Sequence, residues 1–334
     1  MIEFTSHGQR VSLAFGRHFA RPHGDGFRDT PAADLDALIA EISGGRPWRE
    51  AVAARYAAAR PWLHRIITAP SRIAFFEQLP PPASGPVLDV GAGWGQIARP
   101  LAASRRVVAL EPVSERLGFI RAVARQDGIE ANLAFIESGY FETVFATRFA
   151  AICVIGVLEW AGAFQGGADP QELQRAFLRK TRAELAEGGS LVIGIENRLG
   201  LKYLLGTPDD HLGVPHVASL PAGLVRQRWH QATGRELRSF TYSAAELRAL
   251  LQEAGYRQIE FFAAFPDYKL PAQILPLEQV NGWLSHGVPP PEHNGFDGSD
   301  LAVAQQQLLT AHYRALAAQG IAHEFVPSFF VRAT

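Results

Sequence analysis

Residues 86–102, PVLDVGAGWGQIARPLA, run a short apolar strand into glycines at 91, 93 and 95 and then into an amphipathic helix. A strand that turns through glycines into a helix opens a βα unit, and the chain repeats that alternation downstream. Strands are expected at 86–91, 106–111, 132–136, 149–155, 190–195, 257–265 and 324–333. Helices are expected between them at 95–103, 113–127, 140–145 and 170–187. Asp169-Pro170 starts the last of these and Gly188-Gly189 stops it. Continuous apolar strands separated by helices bury both faces of a sheet, which is the pattern of a parallel, doubly wound α/β fold.

The flanks are less regular. From Thr30 to Gly44, and from Trp48 to Leu79 with a break at Pro61, the pattern is helical. PPPASGP (80–86) then reads as a stiff seam, giving an N-terminal helical part, 1–79, and a core, 80–334. Ser243 and Glu246 form a capping box for a helix that Gly255 stops. Two insertions, about 207–234 and 275–323, are long enough to serve as lids; the second holds a loop at 286–300 and a helix at 301–319. Whether 1–79 caps a site or forms a dimerisation arm is open at this level.

Charge and cysteine content exclude several classes. Formal net charge is -1 and the signs are mixed, which gives no electrostatic footprint for nucleic acid. The one cysteine, Cys153, rules out disulfide frameworks and zinc clusters, and fits a reducing cytoplasm. No signal peptide and no membrane-length apolar run are read. Only Lys180, Lys202 and Lys269 are lysines among 32 basic residues.

Glycines at such a turn let a ligand approach the backbone, and an acid about 20 residues on accepts ribose hydroxyls. Glu111, closing the second strand, stands there. The dinucleotide fingerprint would need a small residue where Gln96 stands, and the P-loop pattern is absent. Asp89, two residues before the first glycine, would repel a pyrophosphate and suits a ligand bearing ammonium or sulfonium charge.

With Asp89, Gly91, Ala92, Gly93, Trp94, Gly95 and the distant Glu111, the chain resembles class I S-adenosylmethionine (SAM)-dependent methyltransferases over roughly 80–334. The resemblance implies a Rossmann-like sheet of seven strands, the last antiparallel. It also implies that Asp89 and the 91–95 backbone face the methionine end, Glu111 the ribose, and Glu137 with Ser138 the adenine.

Strand ends four and five carry the rest of the expected site. Glu159 and Trp160 follow the fourth strand, and Trp160 could offer a ring face to the sulfonium. The string IENRLGLKY contributes Asn197, which could hydrogen-bond an acceptor or the SAM amino acid portion, and Tyr203, which supplies a hydroxyl and a ring face. In TPDDHLGVPH, His211 beside Asp209 and Asp210 is a candidate general base. These residues match no recognised metal-ligand spacing, and no metal is expected.

IENRLGLKY and PDYKLP together resemble a bacterial subgroup that includes polysaccharide-associated methyltransferases and azetidine-2-carboxylate synthases. The resemblance thus implies a SAM-dependent enzyme, first a methyltransferase acting on a small polar biosynthetic acceptor. A cyclase that closes SAM's own amine onto its γ-carbon and releases methylthioadenosine is the alternative. A non-catalytic SAM-binding or partner-docking protein is the third reading. A homodimer, a cytoplasmic location and no nucleic-acid or membrane partner complete the expectations.

Overall fold

The structure, a computed structural model, describes residues 1–21, 26–80, 84–215, 217–290 and 300–334. The chain divides into two compact units, 1–155 with 183–191, and 156–182 with 192–334. The seam at 80–86 does not separate them.

The first unit begins with strands where the sequence pattern gives none: β1 (Ile2–Ser6), β2 (Gln9–Leu13) and β3 (His18–Ala20). β1 and β2 form a hairpin whose two turn residues, His7 and Gly8, both have positive φ, the geometry that matches strand twist. β4 (Val87–Val90), β5 (Val107–Leu110) and β6 (Leu133–Glu137) follow, then β7 (Thr143–Phe145) and β8 (Phe149–Ile155). β8, β4, β5, β6 and β3 lie side by side and pair in parallel. Every residue of β4, β5, β6 and β8 is buried, as a sheet covered on both faces requires.

The helix expected at 140–145 is instead β7, antiparallel to β1. Tyr140 Oη and the Phe145 N–H both donate to Glu184, at 2.7 and 2.9 Å, fixing this extended stretch. The partner strand lies some 140 residues away in sequence, so a local pattern cannot report it.

Helices Ala32–Ser43, Trp48–Tyr56 and Pro61–Thr68 bury Leu35, Leu38, Ile42, Val52, Tyr56 and Ile67. The same cluster contains Trp94 of the glycine loop and Phe119 and Val123 of helix Ser114–Gln126. The apolar face of the N-terminal helices is therefore spent on the glycine-loop side of their own unit.

Helix Pro170–Glu184 is capped by Asp169 Oδ1, which accepts the Gln171 N–H at 2.8 Å. It gives way directly to β9 (Leu185–Glu196), which runs through Gly188-Gly189 and passes from the first unit into the second. In the second unit β10 (Ile259–Phe265), β11 (Gln273–Pro276) and β12 (Ser328–Ala333) join it in the order β11-β10-β12-β9. β12, the final strand, is antiparallel to β10. The fold is thus α/β, with a mostly parallel sheet, and all seven expected strands are present. The capping box on helix Ala244–Glu253 is formed in both directions. The insertions carry helices Ala222–Thr233, Val280–His286 and Asp300–Ala318; residues 291–299 of the 286–300 loop lie outside the described residues.

Candidate functional site

In the first unit the turn after β4 needs its glycines. Gly91, Gly93 and Gly95 have φ of 65°, 55° and 75°, all in the left-handed region. A Cβ at Gly95 would sit 2.9 Å from Ile120 Cγ1, so that position also requires close packing. A Cβ at Gly93 would meet nothing nearer than Gln96 Oε1 at 3.7 Å, which leaves that face of the loop open. Glu111 is buried just after β5, and its Oε2 accepts the Gly93 N–H at 2.8 Å while Oε1 accepts the Val113 N–H at 3.0 Å. Burial is the largest influence on this carboxyl and raises its pKa, against Arg116 and the two N–H donors.

Asp89 is buried in β4 and its Oδ2 accepts the Ala98 N–H at 3.0 Å, tying strand to helix. Burial pushes its pKa up to about 7, with the Ala98 N–H and Arg72 opposing. The Trp94 ring points away from the open side of the loop. It is enclosed by Tyr56 and Phe119, and its Nε1 donates to Asp29 Oδ2 at 3.2 Å. Ala92 spends its N–H on the Leu110 carbonyl at 3.0 Å and its own carbonyl on the Gly95 N–H at 2.7 Å, which leaves the backbone of Trp94, not that of Ala92, to face a ligand. Glu137 ends β6 with His18 Nε2 at 3.6 Å. Ser138, beside it, is fully buried and its Oγ has no hydrogen-bond partner. Arg72, buried and electrostatically coupled to Asp89, was not singled out from sequence.

In the second unit a set of charged side chains gathers from four chain segments. Glu196, the last residue of β9, sits at the middle and is 1% exposed. Its Oε2 is 2.9 Å from His211 Nε2 and its Oε1 2.5 Å from Lys269 Nζ. Asp210 Oδ2 lies 3.0 Å from Lys202 Nζ and 3.6 Å from Lys269 Nζ, and accepts the Tyr203 hydroxyl at 2.8 Å. Glu159 Oε1 is 3.7 Å from His211 Nε2. The half-buried Trp160 stacks on Phe164 and stands edge-to-face with the His211 ring, centroids 5.2 Å apart. Asp209 Oδ1 accepts the N–H groups of His211 and Leu212, both at 2.8 Å, which shapes the turn presenting His211.

These contacts revise two roles expected from sequence. Asn197 is fully buried, and its Nδ2 donates to the carbonyls of Glu324 at 2.9 Å and Val326 at 2.8 Å. Its Oδ1 accepts the Leu199 N–H at 3.0 Å. Both amide protons are spent on backbone, so Asn197 is a pin between β9 and the approach to β12 and not a ligand-binding group. His211 is not a resting base. Burial pulls its pKa down, but Glu196 and then Glu159 outweigh it and raise it to about 9, so the ring is already protonated at neutral pH. Tyr203 is buried with its hydroxyl committed to Asp210, and burial followed by that carboxylate holds its pKa well above the usual phenol value.

The group with basic capacity near neutrality is Glu159. Burial pushes its pKa up to about 7, against the pull of His211. Glu196, by contrast, is held well below the ordinary carboxylate range; burial opposes this, but His211 and Lys269 prevail. Sequence reading did not single out Glu196 and Asp210 as a pair. Its one signal was the placement of two of only three lysines, Lys202 and Lys269, in the strings that converge here. Glu159, Glu196 and His211 are also the one group among the described residues with donor atoms close enough to share a metal ion, within 4.8 Å of one another. They come from positions 37 and 15 residues apart, which is why no ligand spacing appears in the sequence.

Residues 69–211 match the methyltransferase small domain family. No curated protein matches the chain by sequence. Among solved structures, the glycopeptide N-methyltransferase MtfA is similar at 20% identity over 39% of this chain, with a TM-score of 0.33. The similarity takes in only about half of MtfA, 54% of its length. The CcbJ methyltransferase from Streptomyces caelestis is 19% identical over 60% of this chain and 83% of its own, TM-score 0.43. The cyclopropane synthase MmaA2 from Mycobacterium tuberculosis is 15% identical over 79% and 82%, TM-score 0.44. No helix among the described residues is long and apolar enough to cross a membrane.

Proposed function

We propose that the chain is a SAM-dependent enzyme, a methyltransferase acting on a small polar acceptor. One observation carries the reading: a strand-to-helix turn with three left-handed glycines, open at Gly93 and closed from behind by the buried Glu111 carboxylate. An open glycine, with the Gly93 N–H held only by the exchangeable Glu111 carboxylate, suits the methionine part of the ligand, and a carboxylate at the end of the next strand suits ribose hydroxyls. Glu111 would exchange its bonds to Gly93 and Val113 for the ribose when the ligand arrives. The family match over 69–211 supports the same reading, since it takes in the whole of this loop and Glu111.

Methyl transfer needs a nucleophile freed of its proton and held in line with the methyl carbon, so most of the acceleration comes from positioning. Within the second unit, Glu159 and not the protonated His211 is the group able to accept a proton near neutrality. The cyclase reading, in which SAM's own amine is the nucleophile, is favoured by the same carboxylate and stands as the second proposal. The test is calorimetric titration with SAM followed by incubation with and without a panel of small acceptors. Binding that is lost in Glu111→Ala, with S-adenosylhomocysteine formed only when an acceptor is present, supports methyl transfer. Methylthioadenosine formed without an acceptor supports cyclisation. Absence of SAM binding to the folded wild type sinks both.

A further inference from the structure

Glu159 is fully buried and neither of its carboxylate oxygens has a hydrogen-bond partner. A buried carboxylate in that condition is costly, so such a group implies a donor that arrives later. The neighbours define which donor. Glu196 is already engaged on both sides, by His211 and Lys269, and Asp210 by Lys202, Tyr203 and Lys269. Asp209 spends one oxygen on the turn that carries His211. Among the acids of this cluster, Glu159 is the one with no hydrogen-bonded donor on either oxygen; His211 lies near it at 3.7 Å but is not hydrogen-bonded. What Glu159 lacks is a positively charged partner that can also donate N–H bonds.

We infer that the Glu159 carboxylate is the subsite for the ammonium group of an amine substrate and takes its proton. This rests on the SAM reading and names the acceptor class within it. An ammonium adds N–H donors to the two open oxygens and leaves the Glu196 and Asp210 pairs intact. A divalent ion on Glu159, Glu196 and His211 would instead have to expel the His211 proton, with the Lys269 ammonium already on one Glu196 oxygen. The proton on R–NH3⁺ passes to Glu159, giving R–NH2. The nitrogen lone pair then forms the N–C bond to the methyl carbon. The C–S bond breaks with its electrons going to sulfur, which leaves as S-adenosylhomocysteine. The same ammonium chemistry could come from an acceptor or from SAM itself.

The probe is propylammonium chloride, with propan-1-ol as the uncharged control, titrated into wild type, Glu159→Gln and Glu159→Asp. Propylammonium is expected to bind wild type at millimolar concentration, to bind Glu159→Gln at least tenfold more weakly, and to recover in part in Glu159→Asp; propanol is expected to bind none of them. SAM affinity is expected to stay within twofold across the three proteins if an acceptor supplies the ammonium and to fall in Glu159→Gln if SAM itself supplies it, and circular dichroism checks that each is folded. Equal propylammonium binding in wild type and Glu159→Gln, or none in wild type, overturns the assignment. So does Mn²⁺ binding that Glu159→Gln abolishes while propylammonium does not bind. Product masses separate the two sources. N-methylpropylamine with S-adenosylhomocysteine identifies an acceptor amine, and methylthioadenosine from SAM alone identifies SAM's own. Wild type that binds propylammonium as stated but not SAM would sink the SAM reading and leave the subsite standing.

Discussion

Asn197 illustrates how a residue type can be legible while its role is not. A polar residue directly after an apolar strand is a fair candidate for a ligand contact, and the sequence supports that reading. The carbonyls that absorb its amide belong to Glu324 and Val326, some 130 residues on, where nothing local signals them. Asn197→Ala strands those buried acceptors and is expected to cost about 2–4 kcal/mol, read as a drop in urea midpoint. SAM affinity below the transition should be unchanged; a specific loss of affinity with stability intact would return Asn197 to the ligand. Lys269 makes the complementary case. Its ammonium, on a half-buried side chain, lies between Glu196 and Asp210, which together raise its pKa against desolvation. Removing the partner of a fully buried charge such as Glu196 costs about 3–5 kcal/mol, because it leaves that charge behind, and the partial exposure of Lys269 puts this pair at the low end. Lys269→Met is therefore expected to lose about 3 kcal/mol, and adding Glu196→Gln to recover part of it. Additive losses in that double-mutant cycle would mean the two groups are not coupled.

At the scale of elements, the strands of the sheet and the helix caps were readable because their causes are local. Val87–Val90 and Val107–Leu110 are apolar runs, and Ser243 with Glu246 spells its own capping box. β7 and β1–β3 were not readable, because short strands at 2–20 and 143–145 acquire their conformation from partners far along the chain. The glycine loop lies between these extremes: its spacing is local, but what each glycine is for depends on packing. Gly93 and Gly95 separate the two needs. Gly93→Ala meets open space and is strained only by its φ of 55°, a cost of about 1–2 kcal/mol. The added methyl stands on the face proposed for SAM, so affinity should fall more than tenfold. Gly95→Ala is strained by its φ of 75° and also drives a Cβ to 2.9 Å from Ile120, so stability should fall well beyond the Gly93→Ala cost. Thermal denaturation with and without SAM distinguishes them. A Gly93→Ala protein that keeps its SAM-induced shift in Tm would move the ligand elsewhere.

For the whole molecule, PPPASGP announces a stiff connector but not which surfaces are buried, and the helices before it bury Leu38, Ile42 and Val52 in one cluster with Trp94. Burial also sets how the protein responds to pH, through the charge cluster of the second unit. His211 has its folded pKa raised from 6.5 to about 9, so its contribution is fully present below pH 6.5 and lost as pH rises through 9. A raise of that size is worth about 3 kcal/mol at most. Glu159 is raised from 4.5 to about 7, so ionising it in the folded state also removes stability, between pH 4.5 and 7. Glu196 runs the other way: held below its ordinary value, it contributes above pH 4.5 and is lost in acid. From these groups, Tm is expected to be highest near pH 5, to decline through pH 7 and to decline further to pH 9. Asp89, also raised to about 7, adds to the first part of that decline, so Glu159→Gln should reduce it without abolishing it, and His211→Asn should remove the second part. A wild-type Tm that rises between pH 6 and 9 would mean that His211 is neutral in the folded protein. Its place beside Glu159 and Glu196 would then be that of a hydrogen-bonded imidazole, and the site would lack one more positive charge than it does with His211 protonated.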